Sequence, residues 1–159
     1  DTDNAVFYRQ SDVPEIAENR NILLLSDMNI GLEGEYFYPD KAITLGEINS
    51  LLSSIGYGNR VEVKSEDQKL ITKEELAQNF IKELGLEKVA NLSDIYRTDY
   101  ADEHAISPKY IGAVALAKGL GIMEAEAGNI FNPKENVTRG EAVNYILKFL
   151  EVRRDGIYW

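Results

Sequence analysis

The chain of 159 residues has no cysteine, one histidine, one tryptophan and four prolines. Without cysteine there is neither a disulfide frame nor a thiolate metal site. His104, alone at the end of the polar stretch that begins at Asp99, reads as a solvated loop residue rather than a metal ligand. Cations are scarce too: 17 Lys and Arg stand against 27 Asp and Glu, a formal net charge of −10. That balance disfavours nucleic acid or an anionic membrane surface as a partner, and an anionic ligand must be held locally. No uninterrupted apolar run reaches about 18 residues, so no membrane-inserting segment is expected. Catalytic patterns are equally missing. There is no His-Glu-x-x-His, no glycine-rich phosphate loop and no Ser-His-Asp arrangement, and Asp1, Asp3 and Asp12 lack the glycine and terminal glutamate of a calcium loop. The carboxylates are scattered, not paired as glycoside hydrolysis requires. The expectation is a non-enzymatic domain with neither metal nor cofactor, long enough at 44% hydrophobic content to bury a real core.

What the chain does have is repetition. The string Thr-x-x-Glu occurs as Thr44…Glu47, Thr72…Glu75 and Thr138…Glu141, each after an aliphatic residue and before a helical apolar stripe. This is the pattern of a capping box, in which the threonine hydroxyl accepts from the N3 amide and the glutamate reaches back to the cap amide. Three boxes of one shape point to internal duplication. The segment from Phe37 (FYPDKAITLGE) aligns without a gap on the segment from Phe131 (FNPKENVTRGE). Upstream, ILLLSDMNI from Ile22 resembles VALAKGLGI from Val114, and Ser11-Asp12-Val13 resembles Ser93-Asp94-Ile95.

These landmarks predict an all-α fold. A first helix is expected over about residues 15–29 and its counterpart from Pro108, placed as an N1 proline, to about Gly121. The capped helices carry Ile48, Leu51, Leu52 and Ile55; Leu76, Phe80 and Leu84; and Ala142, Tyr145, Ile146 and Leu150 at three- and four-residue spacing. Gly56 and Gly85 are natural stops for the first two. Between paired helices, Gly34 and Gly128 precede the Phe-x-Pro loops, which bring the chain in extended. The middle unit is incomplete: 28 positions separate Thr44 from Thr72 and 66 separate Thr72 from Thr138. Residues 59–70 and 87–107 read as connectors. The organisation is one module, residues 1–159, with units at about 10–57, 58–86 (lacking its first helix) and 87–152.

The ordered set of Ser-Asp-aliphatic, helix ending in Gly-Ile, Gly before Phe-x-Pro, and Thr-x-x-Glu resembles the S-layer homology family of bacterial cell-surface proteins. The last unit matches best, through Ser93-Asp94-Ile95, Gly121-Ile122, Gly128, Phe131-Asn132-Pro133 and Val137-Thr138-Arg139-Gly140-Glu141. The first matches through Ser11-Asp12-Val13, Gly34, Phe37-Tyr38-Pro39 and Ile43-Thr44-Leu45-Gly46-Glu47; the middle unit shows only its box and Leu84-Gly85.

The resemblance implies a pseudo-threefold helical bundle of tandem helix-loop-helix repeats that anchors secreted proteins to the bacterial cell surface by binding anionic, often pyruvylated, secondary cell-wall polysaccharide. It also implies a groove arginine, which falls on Arg139, with Lys73 as its conservative counterpart and Leu45 in the first unit. A guanidinium can grip a carboxylate with two bonds where an ammonium offers a point charge. The family often places a ring at the start of the first helix; here those positions are about Ala17 and Lys109, with Tyr110 alongside. Asp12, Asp94 and Gly128 complete the polysaccharide-binding set. The bland reading stands beside each of these: Thr44, Glu47, Thr72, Glu75, Thr138 and Glu141 as helix caps, Phe37 and Phe131 as core plugs, Asp12 and Asp94 as turn caps, Arg139 as a solvated first-turn residue. The alternative function is a scaffold or protein-interaction element without glycan binding. The stretch from Arg153 to Trp159 reads as a connection to a further part of a larger surface protein.

Overall fold

The computed structural model describes residues 10–14, 19–28, 31–32, 36–54 and 68–155. Among them there are six α-helices and no strand: α1 (Arg20–Asp27), α2 (Leu45–Ser54), α3 (Lys73–Glu83), α4 (Glu87–Ala90), α5 (Ile111–Gly119) and α6 (Arg139–Asp155). Two single-turn 3-10 helices, Glu103–Ala105 and Pro108–Tyr110, lie before α5. The fold is all-α, as the periodicity requires.

Three helices start where the boxes stand, and each box closes. The amides of Glu47, Glu75 and Glu141 donate to the hydroxyls of Thr44, Thr72 and Thr138 at 3.1, 3.4 and 3.1 Å. The threonine amides donate back to the glutamate carboxylates at 3.1, 2.9 and 3.0 Å. Each start satisfies two donors that a bare helix end leaves orphaned.

The chain forms two compact units, residues 1–70 with 137–147 and residues 71–136 with 148–159. The first buries Val13, Leu25, Phe37, Ile43, Ile48, Leu51, Leu52, Val137, Val143 and Ile146. The second buries Leu76, Phe80, Ile81, Val114, Ile122, Phe131 and Phe149, with Phe80 stacked on Phe149 at 5.0 Å and Tyr100 on Phe131 at 5.1 Å. A stripe two or three turns long is marginal alone, so this burial supplies most of each helix's stability.

Several sequence expectations are refined. The connector 87–107 is not structureless: it holds α4 and the turn Glu103–Ala105. Four residues are too few for a 3.6-residue period to show. The element exists because Gly85, at φ +76°, reverses the chain after α3, and Leu86 and Ala90 then turn inward. Gly112 permits α5 to reach it, since a Cβ there would lie 1.9 Å from the Ala90 carbonyl oxygen. Pro108 opens a 3-10 turn ahead of α5, with Ser107 as its cap position. The third capped helix runs past Leu150 to Asp155. Ile55, Gly56, Gly34 and Ala17, and nearly all of the expected connector 59–70, lie outside the described residues.

Backbone pairing follows a rule. Leu45 donates to Lys69 O at 2.8 Å, Lys73 to Glu135 O at 3.0 Å and Arg139 to Lys41 O at 2.9 Å. The start of each capped helix thus pairs with a segment that leads into a different box.

Candidate functional site

In the first unit the Phe-x-Pro loop is built by alternation. Phe37 points into the core while Tyr36 and Tyr38 face solvent. Tyr38 adopts φ +55°, a region costly for a bulky residue. Asp12 stabilises the turn: its two carboxylate oxygens accept from the Phe37 amide at 2.7 Å and the Tyr38 amide at 2.6 Å. Gly140, at the start of α6, donates to Pro39 O at 2.8 Å, so the loop seats directly on that helix.

Arg139 lies beneath this loop, only 9% exposed. Its Nη1 donates to Phe37 O at 2.7 Å, its Nε to Glu47 Oε1 at 3.4 Å, and its Nη2 to Glu47 Oε2. A guanidinium has five N–H donors. Three are used, leaving one hydrogen on each terminal nitrogen without a partner among the described residues. At the corresponding place on α2 stands Leu45, half-buried and unable to pair with an anion.

The second unit repeats the loop. Asn132, at φ +58°, occupies the place of Tyr38, and Asp102 accepts from the amides of Phe131 and Asn132 at 2.9 and 2.8 Å. The structural partner of Asp12 is therefore Asp102. Asp94, aligned with Asp12 on the string Ser-Asp-aliphatic, is exposed and sits at φ +61° in another loop. With Asn91, Ser93, Tyr96 and Lys109 it lines a cleft of about 560 Å³. Tyr110 is half-buried beside it, with Lys109 Nζ 5.0 Å from its ring centroid. Gly128, at φ +81°, is exposed in the turn before Phe131.

Lys73 is closed to solvent at 1% exposure. Its ammonium meets Glu126 at 2.9 Å and Glu135 at 3.5 Å. The hydrogen bond from Lys73 holds the Glu126 carboxyl below the ordinary glutamate value, outweighing desolvation. The next residue, Glu74, carries a network that sequence reading did not single out. Its buried carboxylate accepts from the Ser107 amide at 2.9 Å, the Ser107 hydroxyl at 2.7 Å and Lys134 Nζ at 2.8 Å. The partners lie 33 and 60 residues away, beyond any local pattern. Glu103 likewise accepts from the Thr98 hydroxyl at 3.0 Å and from the Thr98 amide; the amide bond is the main reason its carboxyl is held low.

A helical module whose Phe-x-Pro loops are braced by aspartate and whose helices open on Thr-x-x-Glu boxes is the class that these sites define. Residues 99–143 match the S-layer homology domain. The matched span begins before Asp102 and leaves out Ser93-Asp94-Ile95, in agreement with the loop geometry. Among curated proteins the chain is similar to the amylopullulanase of Thermoanaerobacterium thermosulfurigenes, 29% identical over 118 residues. That alignment covers 67% of this chain and 6% of the amylopullulanase, so the chain spans a small fraction of its relative's length. The domain match indicates a non-catalytic element of cell-wall anchoring and association with the cell surface. No described helix is long and apolar enough to cross a membrane.

Proposed function

We propose that the chain is a non-catalytic module, arranged with pseudo-threefold symmetry, that holds a larger secreted surface protein to the cell wall by binding an anionic, pyruvylated secondary polysaccharide. The observation that carries this reading is Arg139: a guanidinium fixed by Glu47 and Phe37 O, with one donor on each terminal nitrogen unused among the described residues. A donor left open can make a charge-assisted bond to a ligand carboxylate, and fixing the guanidinium beforehand lowers the cost of binding. Lys73 contributes less, because a ligand carboxylate would have to displace Glu126. Asp12 acts by shaping the loop over Arg139, and Asp94, Tyr110 and Gly128 are the flanking contacts of the last unit. A field from the −10 net charge repels a polyanion, yet at physiological salt it decays over about 8 Å, so a local ion pair prevails.

A second reading, a scaffold without glycan affinity, is favoured by Leu45 and by the internal carboxylate partners of Lys73. Sedimentation with purified cell walls separates the two. The anchoring reading expects the chain to pellet with intact walls and much less with walls stripped of their ketal-linked pyruvate. It expects Arg139→Lys, which keeps the charge but loses the fork, to bind weakly while keeping its helical circular dichroism. Equal pelleting of wild type and Arg139→Lys on both kinds of wall refutes the role of Arg139. A wild type that pellets with neither, at low or high salt, leaves the scaffold.

A further inference from the structure

The loop that covers Arg139 carries a feature that neither the caps nor the ion pair uses. Tyr36 and Tyr38 are 42% and 53% exposed, the two exposed aromatic rings among the described residues. They stand side by side, centroids 5.6 Å apart and planes inclined at 34°. Folding does not explain them. Isolated apolar side chains on a surface are ordinary, but two adjacent rings, each about half exposed, form a patch.

The second unit supplies an internal control. Its loop has the same aspartate brace, the same buried phenylalanine and the same left-handed middle residue, but that residue is Asn132. Asparagine tolerates this backbone region well, whereas a large aromatic residue does not. The turn is thus made at lower cost without a tyrosine, and Tyr38 is held there against its preference by Asp12.

We infer that Tyr36 and Tyr38 form a stacking platform for a pyranose ring of the wall polysaccharide, an inference that rests on the anchoring reading above. One face of a pyranose presents C–H bonds, which pack on the electron-rich face of an aromatic ring, while the phenol hydroxyls remain available to the sugar hydroxyls. The two rings are a tilted pair rather than a buried stack, and each keeps about half of its surface in solvent for a ligand to cover. The platform lies on the stretch whose Phe37 carbonyl is gripped by Arg139. One loop therefore presents an apolar contact indifferent to charge beside a cation that reads the acid substituent. In a chain of −10 net charge, the stacking contact gives affinity that does not depend on attracting a polyanion.

The test is wall sedimentation of the full chain carrying Tyr38→Asn, Tyr36→Ser or Tyr38→Phe, with urea unfolding of each. Tyr38→Asn is expected to unfold at a urea concentration no lower than wild type, since it copies the loop of the second unit, yet to bind about tenfold more weakly. Tyr36→Ser should weaken binding similarly and Tyr38→Phe should not. The loss should be the same at low and high salt and on walls stripped of pyruvate, which separates stacking from the Arg139 ion pair. Undiminished binding by both Tyr38→Asn and Tyr36→Ser overturns the platform and leaves the anchoring reading standing. A wild type that binds no wall overturns both.

Discussion

Glu47 and Arg139, 92 residues apart in sequence, share one carboxylate with a helix cap: Glu47 Oε1 accepts from the Thr44 amide at 3.1 Å and from Arg139 Nε at 3.4 Å. The start of α2 and the start of α6 are fixed by the same side chain. Its loss removes a cap and leaves a mostly buried guanidinium with one partner fewer.

Substitution of Glu47 should therefore cost more than substitution of the caps. Thr72→Ala and Thr138→Ala are expected to lower stability by about 1 kcal/mol each, the usual effect of losing a cap. Glu47→Ala is expected to cost about 2–3 kcal/mol, because the ion pair is partly exposed and stays below the range for fully buried pairs. Urea unfolding at neutral pH checks the order. Equal midpoint shifts for Glu47→Ala and Thr138→Ala would show that Arg139 gains nothing from Glu47.

The two aspartates of the last unit should separate cleanly. Asp102→Ala removes two charge-assisted bonds to the Phe131-Asn132 turn and is expected to cost about 2–3 kcal/mol. Asp94→Ala, at an exposed position, should stay within about 0.5 kcal/mol. Unfolding midpoints of the two variants decide; the reverse order would mean that the sequence alignment of Asp94 with Asp12 describes the fold better than the hydrogen bonds do.

Acid should weaken the second unit through Glu126 and Glu103, whose carboxyls are held below the ordinary glutamate value of 4.5. A carboxyl with a depressed folded pKa contributes stability that is fully present above its unfolded value and is lost as pH falls through the folded one. Glu126→Gln should thus be less stable than wild type at neutral pH, with the gap narrowing below pH about 4.5 as wild-type Glu126 takes up its proton. Unfolding midpoints across pH test this, and a gap that stays constant into acid would remove the Lys73 bond as its source.

How much could be read in advance depended on distance along the chain. The boxes were legible because Thr138 and Glu141 lie one turn apart, where residue type and spacing suffice. The bond from Arg139 to Glu47 spans 92 residues, and no local pattern encodes it. Asp102 is hidden in the sequence because Ser93-Asp94-Ile95 copies the letters of Ser11-Asp12-Val13 better than Ala101-Asp102-Glu103 does. Spacing carried the missing signal. Asp12 precedes Phe37 by 25 residues and Asp102 precedes Phe131 by 29, whereas Asp94 precedes it by 37 (131 minus 94). The brace needs a fixed reach to the turn, not a fixed neighbour. The paired tyrosines are masked in the sequence for another reason: the phenylalanine between them reads as a core plug, and alternation sends its neighbours outward.

The pairing of residues 39–43 with 137–140 has a consequence for the order in which the protein can assemble. Ile43 donates to Val137 O at 2.8 Å and Arg139 to Lys41 O at 2.9 Å, so the first unit is completed by a segment that follows the bulk of the second. A chain emerging from its amino end, whether from a ribosome or through an export channel, presents residues 1–70 while their partner strip is still inside. Neither unit is complete until α6 arrives: residues 137–147 close the first, and residues from 148 onward, with Phe149 on Phe80, close the second after it. Truncation before that strip removes more than a terminal helix: it leaves the oldest part of the chain waiting for a contact that never comes.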